Sequence, residues 1–221
     1  MDQTTLGFVI GIRPLSETSL IVHWLTRDFG RLSTVAKGAR RPKSPFRGKL
    51  DLFFLCELFY LPSRKSNLHT LKEIKLLETF PALRKEVEKL QQASYAVSLI
   101  KQSTEQDTPL MEVFLLFQEF LQAIASSSKS APWTEALELR LLDLLGFDPT
   151  LPLQRHSLEI QGLAKQLQST PWDELGEVTL GPGPIQTLQQ FLHGFFIHHL
   201  GRLPSGRNAV TLKGGSTNSA E

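Results

Sequence analysis

The chain has 221 residues, a length typical of one large domain or two small ones. Its 41% apolar and 21% charged residues are ordinary values for a globular protein, which excludes wholesale disorder. The single cysteine, Cys56, excludes an internal disulfide framework and any cysteine-based zinc or iron–sulfur site. No apolar run approaches the ~18 residues of a membrane span, and the start MDQTTLGF lacks a signal peptide's features. The default expectation is therefore a soluble cytoplasmic protein without a membrane partner.

The charges are unevenly distributed along the chain. Residues 1–80 hold 13 Lys/Arg and 7 Asp/Glu, a balance of +6, whereas residues 81–221 hold 11 and 15, a balance of −4. This asymmetry predicts that the first part of the chain meets an anion and that the second part does not.

The first 80 residues predict β-structure. Alternating or β-branched runs separated by turn residues indicate five strands, at Thr5–Ile12, Leu20–Leu25, Arg31–Lys37, Leu50–Leu61 and Asn67–Leu77. In the first strand, the alternation predicts one core face made of Leu6, Phe8, Ile10 and Ile12. The connections are too short for crossover helices, so the strands predict a small closed barrel or sandwich.

The rest of the chain predicts α-helices. Apolar residues at helical spacing, with proline near several of the starts, indicate helices at 81–102, 109–125, 132–146, 157–168 and 185–200. The stretch from Trp172 to Pro184 is predicted to be a loop, and the small polar residues from Thr211 onward predict a disordered tail.

The loop between the third and fourth predicted strands carries the strongest functional signal. Six cations and no acid lie in KGARRPKSPFRGK, namely Lys37, Arg40, Arg41, Lys43, Arg47 and Lys49. Such a surface attracts a polyanion through counterion release, and Phe46 offers a ring on which a base can stack. With Arg27 and Arg31 nearby, the loop favours nucleic-acid binding; the alternative is a merely solvated loop.

The sequence predicts neither catalysis nor a metal site. The common catalytic and phosphate-binding motifs are absent. His156, His193, His198 and His199 lack acidic or cysteine partners in the last helix, so packed or exposed histidines are the better interpretation. Cys56 lies in an apolar strand and is interpreted as a buried, inert thiol. The aromatic stripe Phe114, Phe117, Phe120 and Leu121 is interpreted as core.

Several segments resemble the RecO family of bacterial recombination mediators. The resemblance is carried by ETSLIV (17–22), TRDFGRLS (26–33), AKGARRPKS (36–44), FRG (46–48) and, in the helical part, ELRLLDLLGF (138–147). It implies an α+β fold, with an oligonucleotide-binding (OB) barrel at 1–80, a helical domain at 81–210 and a tail at 211–221.

The resemblance also implies a non-enzymatic role in recombinational DNA repair, near the nucleoid and without a cofactor. Family members bind single- and double-stranded DNA, anneal complementary strands, and act with RecR and the single-stranded-DNA-binding protein to load RecA. Many members have a four-cysteine zinc site after the LLDLLGF-like helix. Residues 148–159 contain no cysteine here, so the resemblance implies a zinc-free variant stabilised by apolar packing.

A partner site in the helical part is a further expectation. Family members bind the acidic, apolar C-terminal tail of the single-stranded-DNA-binding protein, and such a tail needs an apolar groove with a cation at its edge. Arg140 beside Leu137, Leu141 and Leu144 meets that description. The alternative is that Arg140 pairs with Glu135 or Glu138.

Two other function classes compete with DNA binding. The first is an adaptor whose basic loop docks an acidic protein or a membrane surface. The second is a nuclease, which is disfavoured because no carboxylate cluster suited to a metal accompanies the basic loop.

Overall fold

The computed structural model describes residues 2–149, 153, 157–178 and 181–211. The chain forms two compact units. The first contains the residues up to Pro81 together with Thr104–Leu115, and the second contains Ala82–Ser103 and the chain from Leu116 onward. The predicted domain ranges 1–80 and 81–210 stay a prediction. The structure differs from these ranges in one respect, because the segment 104–115 packs with the first unit.

The first unit is a closed five-stranded barrel. Its strands are β1 (Gln3–Pro14), β2 (Leu20–Thr26), β3 (Gly30–Ala36), β4 (Leu55–Leu61) and β5 (Leu68–Glu78). They close in the order β1-β2-β3-β5-β4, with β3 and β5 parallel and every other neighbouring pair antiparallel. This is the predicted OB-type barrel, so the five strands and the α+β class are confirmed.

The prediction that Leu6, Phe8, Ile10 and Ile12 share one face of β1 is wrong, because an irregularity between Val9 and Gly11 changes the alternation. Val9, before the irregularity, lies in the barrel core, and Ile12, after it, packs against the same core. Phe8 is fully buried on the other side of the strand, where its ring centroid lies 5.2 Å from that of Phe114 and 6.1 Å from that of Phe80. Both faces of β1 are therefore buried in this region.

The apolar run 50–61 is only partly a strand. β4 begins at Leu55, and residues before it form turns. Phe53 has a φ of 68°, in the left-handed region; its N–H donates to Val9 O (2.8 Å), and Val9 N–H donates to Phe54 O (2.9 Å). The turn thus fills the hydrogen-bonding positions beside the β1 irregularity, so β4 begins later than the hydrophobic pattern predicts.

The segment 104–115 lies directly against the start of β3. Arg31 Nε donates to Thr104 Oγ1 (2.8 Å), and the Asp107 N–H donates to Arg31 O (2.9 Å). Gly30 has a φ of 66°, and a Cβ at this position would lie 1.9 Å from Thr108 O. Only glycine fits both requirements, so Gly30 allows the segment to approach the barrel.

The remaining helices broadly follow the prediction. They are α1 (Val87–Ser103), α2 (Met111–Ser126), α3 (Trp133–Leu144), α4 (Leu158–Ser169), α5 (Pro182–Leu200) and α6 (Arg207–Val210). Pro81–Arg84 forms a separate 3-10 helix, and Trp172–Glu177, predicted as loop, forms another. α6 was not predicted, and the predicted disorder after Thr211 lies outside the described residues.

A buried polar network crosses the second unit. The Tyr95 hydroxyl donates to Glu138, and Arg207 donates to both Glu138 oxygens, from Nε (2.7 Å) and Nη2 (2.9 Å). The Arg207 side chain is 4% exposed and that of Glu138 is fully buried. Burial and the Glu138 carboxylate raise the pKa of Tyr95 well above its usual value. The zinc-free variant was expected to be stabilised by apolar packing alone. The polar network also stabilises the second unit, because it joins α1, α3 and α6.

Candidate nucleic-acid interface

The basic loop, residues 37–49, is a series of tight turns rather than an extended segment. Backbone N–H groups of Arg41, Ser44, Arg47 and Lys49 each donate to a carbonyl three residues earlier, at 3.0–3.2 Å. Gly38 and Gly48, near its two ends, have φ values of 70° and 72°. Left-handed glycines at both ends and repeated turns between them give the loop a defined shape.

The loop is attached to the β1–β2 turn, residues 15–19. Arg40 N–H donates to Thr18 O (3.0 Å), and Arg40 Nη1 donates to Ser16 O (3.1 Å). Gly38 N–H lies 3.4 Å from Ser19 Oγ, its acceptor. The loop and the turn therefore form one continuous surface at this end of the barrel.

Phe46 anchors the loop from inside. Its side chain is 6% exposed and belongs to the barrel core, together with residues such as Trp24 and Leu58. A buried ring presents no face to a base, so the stacking role predicted for Phe46 is corrected to a structural one. Its apolar burial fixes the middle of the loop to the barrel.

The cations of the basic loop point outward. Lys37, Arg40, Arg41, Lys43 and Arg47 are exposed, and Lys49 is half-buried. Arg47 Nη1 donates to Pro42 O (3.1 Å), which keeps this guanidinium against the loop. Within the described part of the chain, no carboxylate forms an ion pair with the five exposed side chains. Among these described residues, their charges are therefore not neutralised by ion pairs.

The two arginines outside the loop have other partners. Arg27 pairs with Asp28, with Nε 3.0 Å from Oδ1, and its charge is locally compensated. Arg31 is half-buried and donates to the hydroxyl and carbonyl oxygens of Thr104. Burial lowers the pKa of Arg31. The structure brings neither residue into the basic loop, and its bonds assign Arg31 to holding the segment 104–115.

Sequence reasoning missed the contribution of the β1–β2 turn. Leu15 is 50% exposed there, and Arg13 is exposed at the end of β1. The bonds from Arg40 to Ser16 O and Thr18 O bring this turn beside the basic loop. No local pattern indicates that contact, because its partners are more than 20 residues apart in sequence.

The predicted partner site on α3 is mostly internal. Leu137 and Leu141 are buried, whereas Leu144 is 42% exposed. Arg140 donates to Leu167 O and Thr170 O, and its guanidinium carbon lies 4.1 Å from the centroid of the Trp172 ring. The alternative pairing with Glu135 or Glu138 is wrong: Gln189 donates to Glu135, and Arg207 pairs with Glu138.

The histidines and the cysteine have ordinary surroundings. His199 packs against Phe195, with ring centroids 4.2 Å apart, and burial raises the pKa of the Cys56 thiol to about 12. Among the described residues, no group of three or more His, Cys, Asp and Glu could hold a metal ion. His156 lies outside the described residues. Within those same limits, no helix has the length and apolarity needed to cross a bilayer.

Comparison with known proteins identifies the family. The model for the N terminal of recombination protein O matches residues 1–80, and the model for its C terminal matches residues 84–152. The chain belongs to the RecO family. The first match covers the strands of the barrel and the basic loop, and the second covers α1, α2 and α3.

Similar RecO proteins come from diverse bacteria. The DNA repair protein RecO of Syntrophus aciditrophicus (strain SB) is 31% identical over 147 residues, which are 66% of this chain and 57% of the relative. Those of Rhodopirellula baltica and of an Exiguobacterium strain are 34% and 30% identical, over 65% and 68% of this chain and 53% and 60% of theirs. The chain thus spans somewhat over half the length of these relatives.

Proposed function

We propose that this chain is a non-enzymatic DNA-binding mediator of recombinational repair that anneals complementary strands. Its RecO membership supports the repair role, and the relatives are named DNA repair proteins. The observation that carries DNA binding is the basic loop, a rigid surface with five exposed cations that lack a carboxylate partner among the described residues.

The proposed mechanism is electrostatic. Arg41, Lys43, Arg47 and their neighbours contact phosphates and release condensed counterions, so binding is tolerant of base sequence. Because the surface neutralises phosphate charge, it lowers the repulsion between two strands held near it, which favours annealing. Single- and double-stranded DNA are both ligands in this proposal, since phosphates are common to them.

The proposed partners are RecR, the C-terminal tail of the single-stranded-DNA-binding protein, and the RecA pathway. The family resemblance supports them. On α3, Leu144 is the exposed member of the predicted groove, because Leu137 and Leu141 are buried and Arg140 is engaged with backbone carbonyls. The site for the tail stays a prediction.

The test is a fluorescence anisotropy titration with single- and double-stranded oligonucleotides over a range of salt concentrations. Arg41→Ala/Lys43→Ala removes two exposed cations from the basic loop. Arg64→Ala/Lys65→Ala is the matched control, because it removes two exposed cations from the β4–β5 turn.

We expect the loop variant to lose affinity equally for unrelated sequences. Its slope of log K against log salt falls by about 0.7 per lost contact with single strands and about 0.9 with duplex. The control keeps the wild-type slope. Equal effects of the two variants would contradict a specific role for the loop, and saturable binding of labelled polyglutamate without saturable binding of the oligonucleotides would favour an acidic protein as the ligand.

A further inference from the structure

Arg40 differs from its neighbours in the basic loop. Its backbone N–H and its Nη1 atom both donate to the β1–β2 turn, to Thr18 O and Ser16 O respectively. Like Arg40, Arg41 and Lys43 are exposed and have no ion pair within the described residues, so the bonds to the β1–β2 turn are what distinguish Arg40. The acceptor of the Arg40 guanidinium therefore lies outside the basic loop, whereas that of Arg47 Nη1, Pro42 O, lies within it.

The turn that receives Arg40 is itself held by serines. Ser16 Oγ accepts from Ser19 N–H (3.2 Å) and lies 3.4 Å from the Thr18 nitrogen, its second donor. Ser19 Oγ accepts from Gly38 N–H, and Leu15 N–H donates to Ser19 O (3.0 Å). These bonds orient the Ser16 and Thr18 carbonyls toward the loop, so the serines and Arg40 form one connected set.

We propose that Arg40 is a positioning residue, which clasps the basic loop to the β1–β2 turn, and that it makes no phosphate contact of its own. This inference deepens the proposed function and rests on it for the DNA readout. The clasp holds the backbone of the loop before DNA arrives, and Phe46 holds it from the barrel core. The cations beyond Arg40 are then presented as one fixed surface.

A clasp and a phosphate contact have different salt signatures. Each phosphate contact releases counterions and adds to the slope of log K against log salt. Preorganisation instead lowers the entropic cost of ordering the loop on binding, a term that does not depend on released counterions. A positioning residue therefore changes affinity but leaves the slope unchanged.

The first experiment loosens the turn that Arg40 engages without changing any charge. Ser16→Ala/Ser19→Ala removes the hydroxyls that shape the turn and hold Gly38. Ser63→Ala/Ser66→Ala is the matched control, because Ser63 Oγ and Ser66 Oγ are hydrogen-bonded in the β4–β5 turn. Trypsin then reports loop order in the free protein, since the cations of the basic loop that trypsin can cleave after, all except Arg41, which precedes Pro42, are retained in both variants.

We expect Ser16→Ala/Ser19→Ala to raise trypsin cleavage within residues 37–49 several-fold, and to weaken DNA binding several-fold at an unchanged salt slope. The control should match the wild type in both measurements. An unchanged cleavage rate in Ser16→Ala/Ser19→Ala would overturn the clasp, whether or not the protein binds DNA. Failure of the wild-type protein to bind DNA would instead contradict the proposed function.

The second experiment tests Arg40 directly. Arg40→Ala should lower DNA affinity several-fold with the wild-type slope, whereas Arg41→Ala should reduce the slope by about 0.7–0.9. Added to Ser16→Ala/Ser19→Ala, Arg40→Ala should have little further effect, because both changes loosen the same junction between the turn and the loop. A reduced slope in Arg40→Ala, equal to that in Arg41→Ala, would show that Arg40 is a phosphate ligand and would overturn the proposal.

Discussion

The arginines of the two units illustrate two uses of the same side chain. In the basic loop, Arg41 is exposed and no ion pair within the described residues engages it. In the helical unit, Arg140 donates to two backbone carbonyls, and Arg207 is buried against Glu138. Arg41 therefore remains available to an external anion, whereas Arg140 and Arg207 are bonded to groups within the protein.

This difference changes the meaning of the charge balance along the chain. The value of −4 for residues 81–221 includes Glu138 and Arg207, which neutralise each other out of contact with solvent. The value of +6 for residues 1–80 includes exposed cations that have no ion-pair partner among the residues the structure describes. Charge counts therefore indicate a polyanion site only where the side chains are exposed and lack internal partners.

The largest expected effect comes from breaking the buried pair. Arg207→Ala leaves Glu138 buried without its cation, and we expect the free energy of unfolding to fall by about 3–5 kcal/mol. Urea denaturation measures this loss. Glu138→Leu/Arg207→Met should recover most of it, because no unpaired charge remains. Arg41→Ala, the exposed counterpart, should stay within about 0.5 kcal/mol of wild type; a comparable loss there would remove the contrast between the two units.

A pH dependence of stability is the next effect in size. Burial, followed by the charge of Glu138, raises the pKa of Glu135 from 4.5 to about 7, and Glu135 Oε2 has no hydrogen-bond partner among the described residues. The folded state therefore retains a proton that the unfolded chain releases above pH 4.5. The stabilisation is complete below that pH and is lost as the pH rises through about 7.

Urea unfolding at several pH values tests this expectation. Glu135→Gln cannot titrate and should flatten the decline in stability between about pH 4.5 and 7. Glu88→Gln, at an exposed position of α1, should retain the wild-type decline. An unchanged profile in Glu135→Gln would show that another group is responsible.

The smallest expected effect is that of Phe46→Leu, which distinguishes a core role of Phe46 from a role in stacking on a base. Phe46→Leu retains an apolar side chain, so we expect a loss of stability below about 1.5 kcal/mol and an unchanged DNA affinity. A ring that stacks on a base would instead lose about 1–3 kcal/mol of binding free energy on removal of its aromatic face. Anisotropy titrations with single-stranded DNA measure the difference.

Much of the barrel could be predicted because its signals are local. Alternation of apolar residues located β1, β2, β3 and β5 to within a few positions. The density of cations likewise located the basic loop. Both signals depend on neighbouring residues in sequence, which a single chain displays directly.

The errors arose where contacts between distant residues decide the outcome. The irregularity after Val9 reversed which residues of β1 face the core, and the turn at Phe53 shortened β4. The internal partners of the arginines could not be predicted either, since those of Arg31 and Arg207 lie 73 and 69 residues away in sequence. No periodicity or composition records such partnerships.

The packing of segment 104–115 against the barrel also means that the barrel is completed only some time after its last strand has been synthesised. All five strands are synthesised by Glu78, yet the side of β1 that carries Phe8 stays without Phe114 until the intervening helix α1 has also been made. At about 5–20 residues per second, translation of that stretch takes on the order of seconds. During this interval, the Phe8 side of the nascent barrel lacks the apolar partner that covers it in the folded protein.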